Sequence, residues 1–296
     1  MESTELDIIG ADCARSVILP DGTAVPALGQ GTWHLAEHPS KRSREIETLQ
    51  TGVRLGMTLI DTAEMYGEGT SEKLIGEAIR QVPREKLFLV SKVYPHNSGR
   101  SHIFESCKNT LKRLGVSSLD LYLLHWRGRV PLAETVSCME ELIRMGLIRR
   151  WGVSNFDLED MKELWKTPGG NRCAVNQVLY HLGSRGIEYD LIPWMDSYHV
   201  PVMAYCPLAQ AGTLRRGLLE SCAVKEVALA HNAAPAQILL SFVMHSGKVI
   251  AIPRASSPEH VSENAKSRVI ELTQKDLETL SRDFPPPRHK VPLDMQ

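Results

Sequence analysis

The sequence predicts an α/β protein built as a (β/α)8 TIM barrel, with a small N-terminal β-hairpin and extra helices near the C-terminus. Three observations carry this. Eight short apolar runs alternate with amphipathic segments of helical period, a pattern that demands a parallel sheet covered by helices. The chain has 296 residues, a length that suits one barrel. Each apolar run is followed by polar or aromatic side chains, where a barrel places its chemistry. A doubly wound open sheet is the competing layout. Residues 1–296 read as a single domain, with 16–27 as the hairpin and 283–296 as a tail.

In chain order, 16–19 and 24–27 form the hairpin around Asp21-Gly22, a turn dipeptide. The strand candidates are 28–31, 58–60, 87–90, 119–124, 150–153, 174–178, 202–204 and 249–252. Between them, Ile103, Cys107, Leu111 and Leu114 share one helical face that Gly115 closes. Leu132, Val136, Met139 and Ile143 repeat the pattern before Gly146. Glycine just past the last periodic residue is a helix stop. Asp157 and Ser257 stand where N-caps belong, the latter followed by Pro258 at the first helical position. Extra helices are expected over 218–231 and 235–245, and a last one near 274–282. Pro285-Pro286-Pro287 then excludes further helix.

Composition narrows the function classes. With 34 basic and 35 acidic residues the net charge is -1, so no electrostatic footprint suggests nucleic acid or an anionic membrane. No stretch approaches the ~20 apolar residues of a membrane span. Glu2, Glu5 and Asp7 open the chain without the basic n-region of a signal peptide. Cys13, Cys107, Cys138, Cys173, Cys206 and Cys222 form no C-x-x-C pair, and read as reduced thiols. The expectation is a cytoplasmic monomer or weak homo-oligomer.

The residues at the strand ends are Trp33; Asp61 and Tyr66; Lys92; His125 and Trp126; Ser154 and Asn155; Gln177; Tyr205; and Arg254. Asp61, Tyr66, Lys92 and His125 are a carboxylate, a phenol, an amine and an imidazole at three successive ends. A phenol is a poor acid near neutrality, with an ordinary pKa of about 10. A nearby ammonium is expected to depress it, and a carboxylate to hold that ammonium in place. Tyr66 can then protonate a carbonyl oxygen that is gaining charge, and His125 can orient that carbonyl. The set suits addition of hydride to a C=O bond. Taken singly, Asp61 would be a helix cap, Lys92 a salt-bridge partner and His125 a hydrogen-bonded core residue.

With these residues in view the chain resembles the aldo-keto reductases over nearly its whole length. The run from Gly56 through Asp61-Thr62-Ala63-Glu64-Met65-Tyr66-Gly67 resembles that family's first signature. Ser91-Lys92-Val93, Leu123-Leu124-His125-Trp126, Gly152-Val153-Ser154-Asn155-Phe156 and Ile252-Pro253-Arg254 resemble further ones. Residues 177–182 and 204–208 are especially similar to bacterial members acting on methylglyoxal and other small carbonyls. The resemblance implies NADPH-dependent reduction of small aldehydes and ketones. Tyr66 would be the proton donor, aided by Lys92 and Asp61. Ser154, Asn155 and Gln177 would hold the nicotinamide carboxamide, and Tyr205 would stack on its ring. Trp33, Tyr66, Tyr94, His125 and Trp126 would shape the substrate pocket.

The chain lacks a G-x-G-x-x-G, since Gly29-Gln30-Gly31 is followed by Thr32-Trp33. A barrel can instead use loops and a helix N-terminus near its last strands. The resemblance implies cofactor contacts from Thr32, Trp33, Pro207, Leu208, Gln210, Gly212, Pro253, Arg254, Ser256, Ser257, His260, Glu263 and Asn264. The 2′-phosphate would lie by Arg254 and the helix that Ser257 opens. Arg254-Ala255 stands where the family usually has Lys-Ser, and His260 where it usually has Arg. Arginine still grips phosphate bidentately, whereas histidine is only partly charged near neutrality. NADPH is therefore expected, with NADH a weaker alternative. Cys206 replaces the more usual serine.

Three other functions compete. A Schiff-base aldolase would use Lys92 but leave Ser154, Asn155, Gln177 and Tyr205 idle. A metal-dependent hydrolase would use Asp61 and His125, but no H-x-H or further carboxylate cluster accompanies them, and His34-x-x-x-His38 reads as a surface pair. No metal is expected. A non-enzymatic binding role would leave the tetrad without purpose.

Overall fold

The computed structural model describes residues 15–295; Glu2, Glu5, Asp7 and Cys13 lie outside the described residues. The hairpin strands β1 (Ser16–Ile18) and β2 (Ala24–Pro26) pair antiparallel and lie against residues at the starts of the last two barrel strands. The barrel strands are β3 (Gln30–Gly31), β4 (Leu59–Asp61), β5 (Phe88–Val93), β6 (Leu121–Leu124), β7 (Trp151–Ser154), β8 (Asn176–Leu179), β9 (Val202–Tyr205) and β10 (Val249–Ala251). Each pairs in parallel with the next in sequence.

Closure decides between barrel and open sheet. Leu28 bridges Ala251 in parallel. The Gly29 N–H donates to the Ala251 carbonyl at 2.8 Å and the Gly31 N–H to the Pro253 carbonyl at 3.0 Å. The ring is thus joined, and the open sheet is set aside. Glycine is needed at this seam: a Cβ on Gly31 would stand 2.6 Å from the Ile252 carbonyl oxygen. The strands are buried nearly throughout, which is why they read as apolar runs instead of alternating ones.

Around the barrel lie α1 (Arg42–Arg54), α2 (Thr70–Ala78), α3 (Ile103–Leu114), α4 (Leu132–Arg144), α5 (Leu158–Lys166) and α6 (Leu191–Ser197). α3 buries Ile103, Cys107, Leu111 and Leu114, each apolar side chain worth roughly 1.5–3 kcal/mol relative to exposure. Gly115 ends it at φ 70°. Gly146 follows α4 in the same left-handed region. Asp157 caps α5 reciprocally with Asp160, accepting its N–H at 2.9 Å and donating its own at 3.3 Å. After β9 come α7 (Thr213–Glu220), α8 (Cys222–Ala230) and α9 (Pro235–Met244), then α10 (Pro258–Lys266) and α11 (Gln274–Asp283). Ser257 caps α10 through the His260 N–H at 3.3 Å.

Two expectations need correction. The single helix expected over 218–231 is two, α7 and α8, because Ser221 is extended (φ −55°, ψ 137°) and starts α8 as its cap. Asp283 holds the break open by accepting from the Ser221 hydroxyl at 2.7 Å and the Ala223 N–H at 3.2 Å. The strands also run further than their apolar runs: Asp61, Lys92, Ser154 and Tyr205 lie within β4, β5, β7 and β9 instead of after them. Cys107, Cys138, Cys173 and Cys222 carry free thiols. Among the described residues no single helix is long and apolar enough to cross a membrane.

Candidate active site

The C-terminal ends of the strands bring the four expected groups together. Asp61 and Lys92 occupy neighbouring strands and face each other in the barrel interior, both buried. Lys92 Nζ donates to Asp61 Oδ2 at 2.7 Å, to the Thr62 carbonyl at 2.8 Å and to the Tyr66 hydroxyl at 3.2 Å. All three ammonium donors are therefore used. Asp61 Oδ1 accepts from Gln177 Nε2 at 2.8 Å. Tyr66 is carried over the barrel mouth by a turn whose next residues, Gly67, Glu68 and Gly69, all have positive φ (56°, 52° and 83°). Such a conformation is costly for a non-glycine residue and clusters at functional sites. His125 stands edge-on to the Tyr66 ring, centroids 5.9 Å apart.

Burial dominates the electrostatics. It pushes the Asp61 carboxyl up and the Lys92 amine down, while their ion pair opposes both shifts. The Tyr66 phenol is raised well above its ordinary value by burial, then by Asp61 and Cys206. This reverses the expected depression by Lys92, because desolvation of a phenolate outweighs one hydrogen-bonded ammonium. Tyr66 consequently holds its proton, as a general acid must. Burial, and then the Lys92 charge, push His125 down to about 2. Its Nδ1 is buried without a partner.

His181, buried beyond β8, is likewise pushed down to about 4 by burial. Both imidazoles take up a proton near pH 6.5 when unfolded but stay neutral when folded until about 4 and about 2. Unfolding gains protons as pH falls below 6.5, so stability should fall there, by on the order of 1–2 kcal/mol per histidine between pH 7 and pH 5. Urea unfolding at the two pH values measures this, and an unchanged midpoint would contradict it.

A cavity of about 340 Å³ opens over this centre. Of the expected residues, Thr32, Trp33, Asp61, Tyr66, His125, Ser154, Asn155, Gln177, Tyr205, Pro207, Leu208, Gln210, Pro253 and Arg254 line it. Several form one network. Ser154 Oγ donates to the Gln177 carbonyl at 2.8 Å, Asn155 Nδ2 to the His125 carbonyl at 3.2 Å, and the Tyr205 hydroxyl to Asn155 Oδ1 at 2.9 Å. Tyr94 and Trp126 stand outside this lining, edge-on to one another at 6.0 Å, with Trp126 4.8 Å from His125. Gly212, Ser256, Ser257, His260, Glu263 and Asn264 are also outside it. Ser256 and His260 bond each other at 3.0 Å beside the exposed Arg254. Glu263 is engaged by Gln237 at 2.8 Å and Lys266 at 2.5 Å, and Asn264 is buried.

The sequence reading gave Met65 and Arg215 no role and read His34 as half of a surface pair, yet all three line the cavity. Arg215 lies in α7, and only the break at Ser221 distinguishes that helix from α8; no periodicity marked it. Cys206 also lines the cavity, at φ 50°, its thiol pushed up to about 11 by burial. Among the described residues no group of three or more His, Cys, Asp or Glu side chains is placed to hold a metal ion.

The closed parallel barrel, with its short hairpin and added C-terminal helices, is an architecture with known members. Residues 27–282 match the model of the Aldo/keto reductase family, and the chain belongs to that family. It is 54% identical over 272 residues to the methylglyoxal reductase YeaE of Escherichia coli, covering 92% of this chain and 95% of that one. It is 30% identical to the glyoxal reductase of Bacillus subtilis over 90% of this chain and 91% of that one. Among solved structures, an aldo/keto reductase from Klebsiella pneumoniae in complex with NADP and acetate superposes with a TM-score of 0.93 at 50% identity, covering 96% of this chain and all of that one.

Proposed function

We propose that this chain reduces small aldehydes and ketones, methylglyoxal-like dicarbonyls among them, to alcohols at the expense of NADPH, with Tyr66 as general acid. The observation that carries the reading is the Lys92 ammonium bonded at once to Asp61 and to the Tyr66 hydroxyl beneath an open cavity. The residues around that cavity fit a nicotinamide dinucleotide. Amides and hydroxyls of Ser154, Asn155 and Gln177 suit a carboxamide, and the Tyr205 ring supplies a flat face. Arg254, exposed beyond them, suits a phosphate beside the capped start of α10. The bound NADPH supplies the hydride.

The chain's own residues do the rest. His125, neutral throughout the working pH range, meets the carbonyl oxygen through Nε2, since Nδ1 is enclosed. Tyr66 gives that oxygen its proton as negative charge develops there. Lys92 stabilises the phenolate left behind, and Asp61 and the Thr62 carbonyl keep Lys92 in place. Thr32, Trp33, Pro207, Leu208, Gln210 and Pro253, which line the cavity, would hold the dinucleotide there, with Gly212 beyond the lining. Ser256, Ser257 and His260 would hold the phosphate end, and Glu263 and Asn264 would take the adenine. The Escherichia coli relative's activity and the Klebsiella pneumoniae structure's NADP support the substrate class and cofactor named here.

The test is optical measurement of NADPH and NADH oxidation with a panel of aldehydes and ketones; absence of turnover with every one overturns the reading. The cofactor preference has its own test. Charge-assisted hydrogen bonds contribute ~1.5–3 kcal/mol each, and a guanidinium fork matches phosphate oxygens. Arg254→Ala should therefore weaken NADPH binding roughly ten- to hundredfold and barely change NADH binding. Equal losses for both cofactors, by fluorescence titration, would place Arg254 away from the 2′-phosphate.

A further inference from the structure

Glu64 lies three residues beyond Asp61 and is 8% exposed, yet no step above uses it. A carboxylate taken out of water is costly unless several donors meet it. Here the donors are all neutral. Oε1 accepts from the Tyr94 N–H at 2.7 Å and from Asn97 Nδ2 at 3.1 Å, and Oε2 accepts from the Ser106 hydroxyl. The Glu64 N–H reaches the Lys92 carbonyl at 3.3 Å. One residue thus ties the loop bearing Tyr66 to the end of β5 and to the turn after it.

That turn presents Tyr94. From the Tyr66 ring, His125 lies at 5.9 Å, Trp126 a further 4.8 Å on, and Tyr94 a further 6.0 Å. His96, exposed, stacks on Tyr94 at 4.7 Å. The rings run in sequence from the candidate proton donor outwards, beyond the cavity lining, and the backbone that carries the outermost one hangs on the Glu64 carboxylate. The burial of Glu64 adds a second point. Its backbone N–H and both carboxylate oxygens are spent on keeping two loops in register, and two of the four contacts are to the segment 94–97.

We propose that Glu64 is a positioning residue that fixes Tyr94, and so determines how tightly carbonyl substrates long enough to reach past Trp126 are held. This rests on the reading of the cavity as the site of carbonyl reduction. The substrate class concerned is extended aryl or conjugated aldehydes, which would lie along this row of rings; a three-carbon dicarbonyl does not reach its outer end. A purely structural Glu64 would instead act through Ser106, as an anchor for α3.

The experiment is steady-state kinetics of Glu64→Ala and Glu64→Gln with cinnamaldehyde and with methylglyoxal. For cinnamaldehyde, Glu64→Ala should raise KM about tenfold with a much smaller change in kcat, and the KM shift should be several times that for methylglyoxal. Glu64→Gln should recover most of the KM, because its amide oxygen still accepts from the Tyr94 N–H and its NH2 can donate to Ser106. In a Tyr94→Ala background, Glu64→Ala should add nothing to the KM. Ser106→Ala should leave the cinnamaldehyde KM near wild type. Equal effects on both substrates, a loss confined to kcat, additivity with Tyr94→Ala, or reproduction of the effect by Ser106→Ala each overturns the proposal. If Glu64→Ala does not fold, Asn97→Ala takes its place and should raise the same KM by a smaller factor; no change overturns it. A Tyr66→Phe variant that remains active would defeat the reading of the site itself. An inactive Tyr66→Phe beside Glu64 variants with unchanged KM defeats only this proposal.

Discussion

Under the proposed function, Tyr66→Phe is expected to cut carbonyl reduction by ~10²–10⁴-fold, the range general acid catalysis supplies, while NADPH affinity stays close to wild type. The ring and its edge contact with His125 persist, and only the proton is removed. Lys92 loses one of its three acceptors but keeps Asp61 and the Thr62 carbonyl, so the fold should hold. Single-turnover measurement reads the chemical step directly. A variant retaining more than about a tenth of the wild-type rate would remove Tyr66 from the role of acid.

Lys92→Met should cost activity on a comparable scale, and stability besides. The amine is fully buried, and its removal strands a buried carboxylate, a loss of about 3–5 kcal/mol where one partner of such a pair is deleted. Activity and fold are separable by adding Asp61→Asn. The uncharged amide ends the penalty, and its oxygen still accepts from Gln177 Nε2. The double variant should regain thermal stability but not turnover, because the developing phenolate of Tyr66 still has no ammonium beside it. Recovery of turnover along with stability would mean that Lys92 acts only as a partner for Asp61.

Much of the fold was legible because buried parallel strands leave apolar runs that glycine, proline and capping residues punctuate. The limits of legibility have physical causes. The run 87–90 stops at Ser91-Lys92 in sequence, but β5 continues to Val93, because Lys92 finds its counter-charge inside the barrel. Tertiary pairing made a strand residue of what reads as a strand terminator. The helix expected over 218–231 failed for a long-range reason: the break at Ser221 is held by Asp283, which lies 62 residues away. That Asp61, Tyr66, Lys92 and His125 would meet was legible from their places at successive strand ends, and the structure brings them together. Their electrostatics were not legible, since burial of Tyr66 depends on the whole mouth of the barrel and reverses a shift argued from one neighbour. Arg215 carried no motif and His34 read as half of a surface pair, and only the shape of the cavity brings them forward.

The seam between Leu28 and Ala251 also bears on how the polypeptide is made. Chains emerge from the ribosome N-terminus first, so Asp61, Tyr66, Lys92 and His125 are all synthesised long before the strand that completes the ring. Until residue 251 is available, the nascent sheet has two unpaired edges, β3 and whichever strand came last, each a template for pairing with another chain. A fragment ending before β10, whether from premature termination or C-terminal proteolysis, would carry Asp61, Tyr66, Lys92 and His125 and still present two open sheet edges on which to self-associate. Protein quality control would meet such fragments as aggregates, not as weakened enzymes.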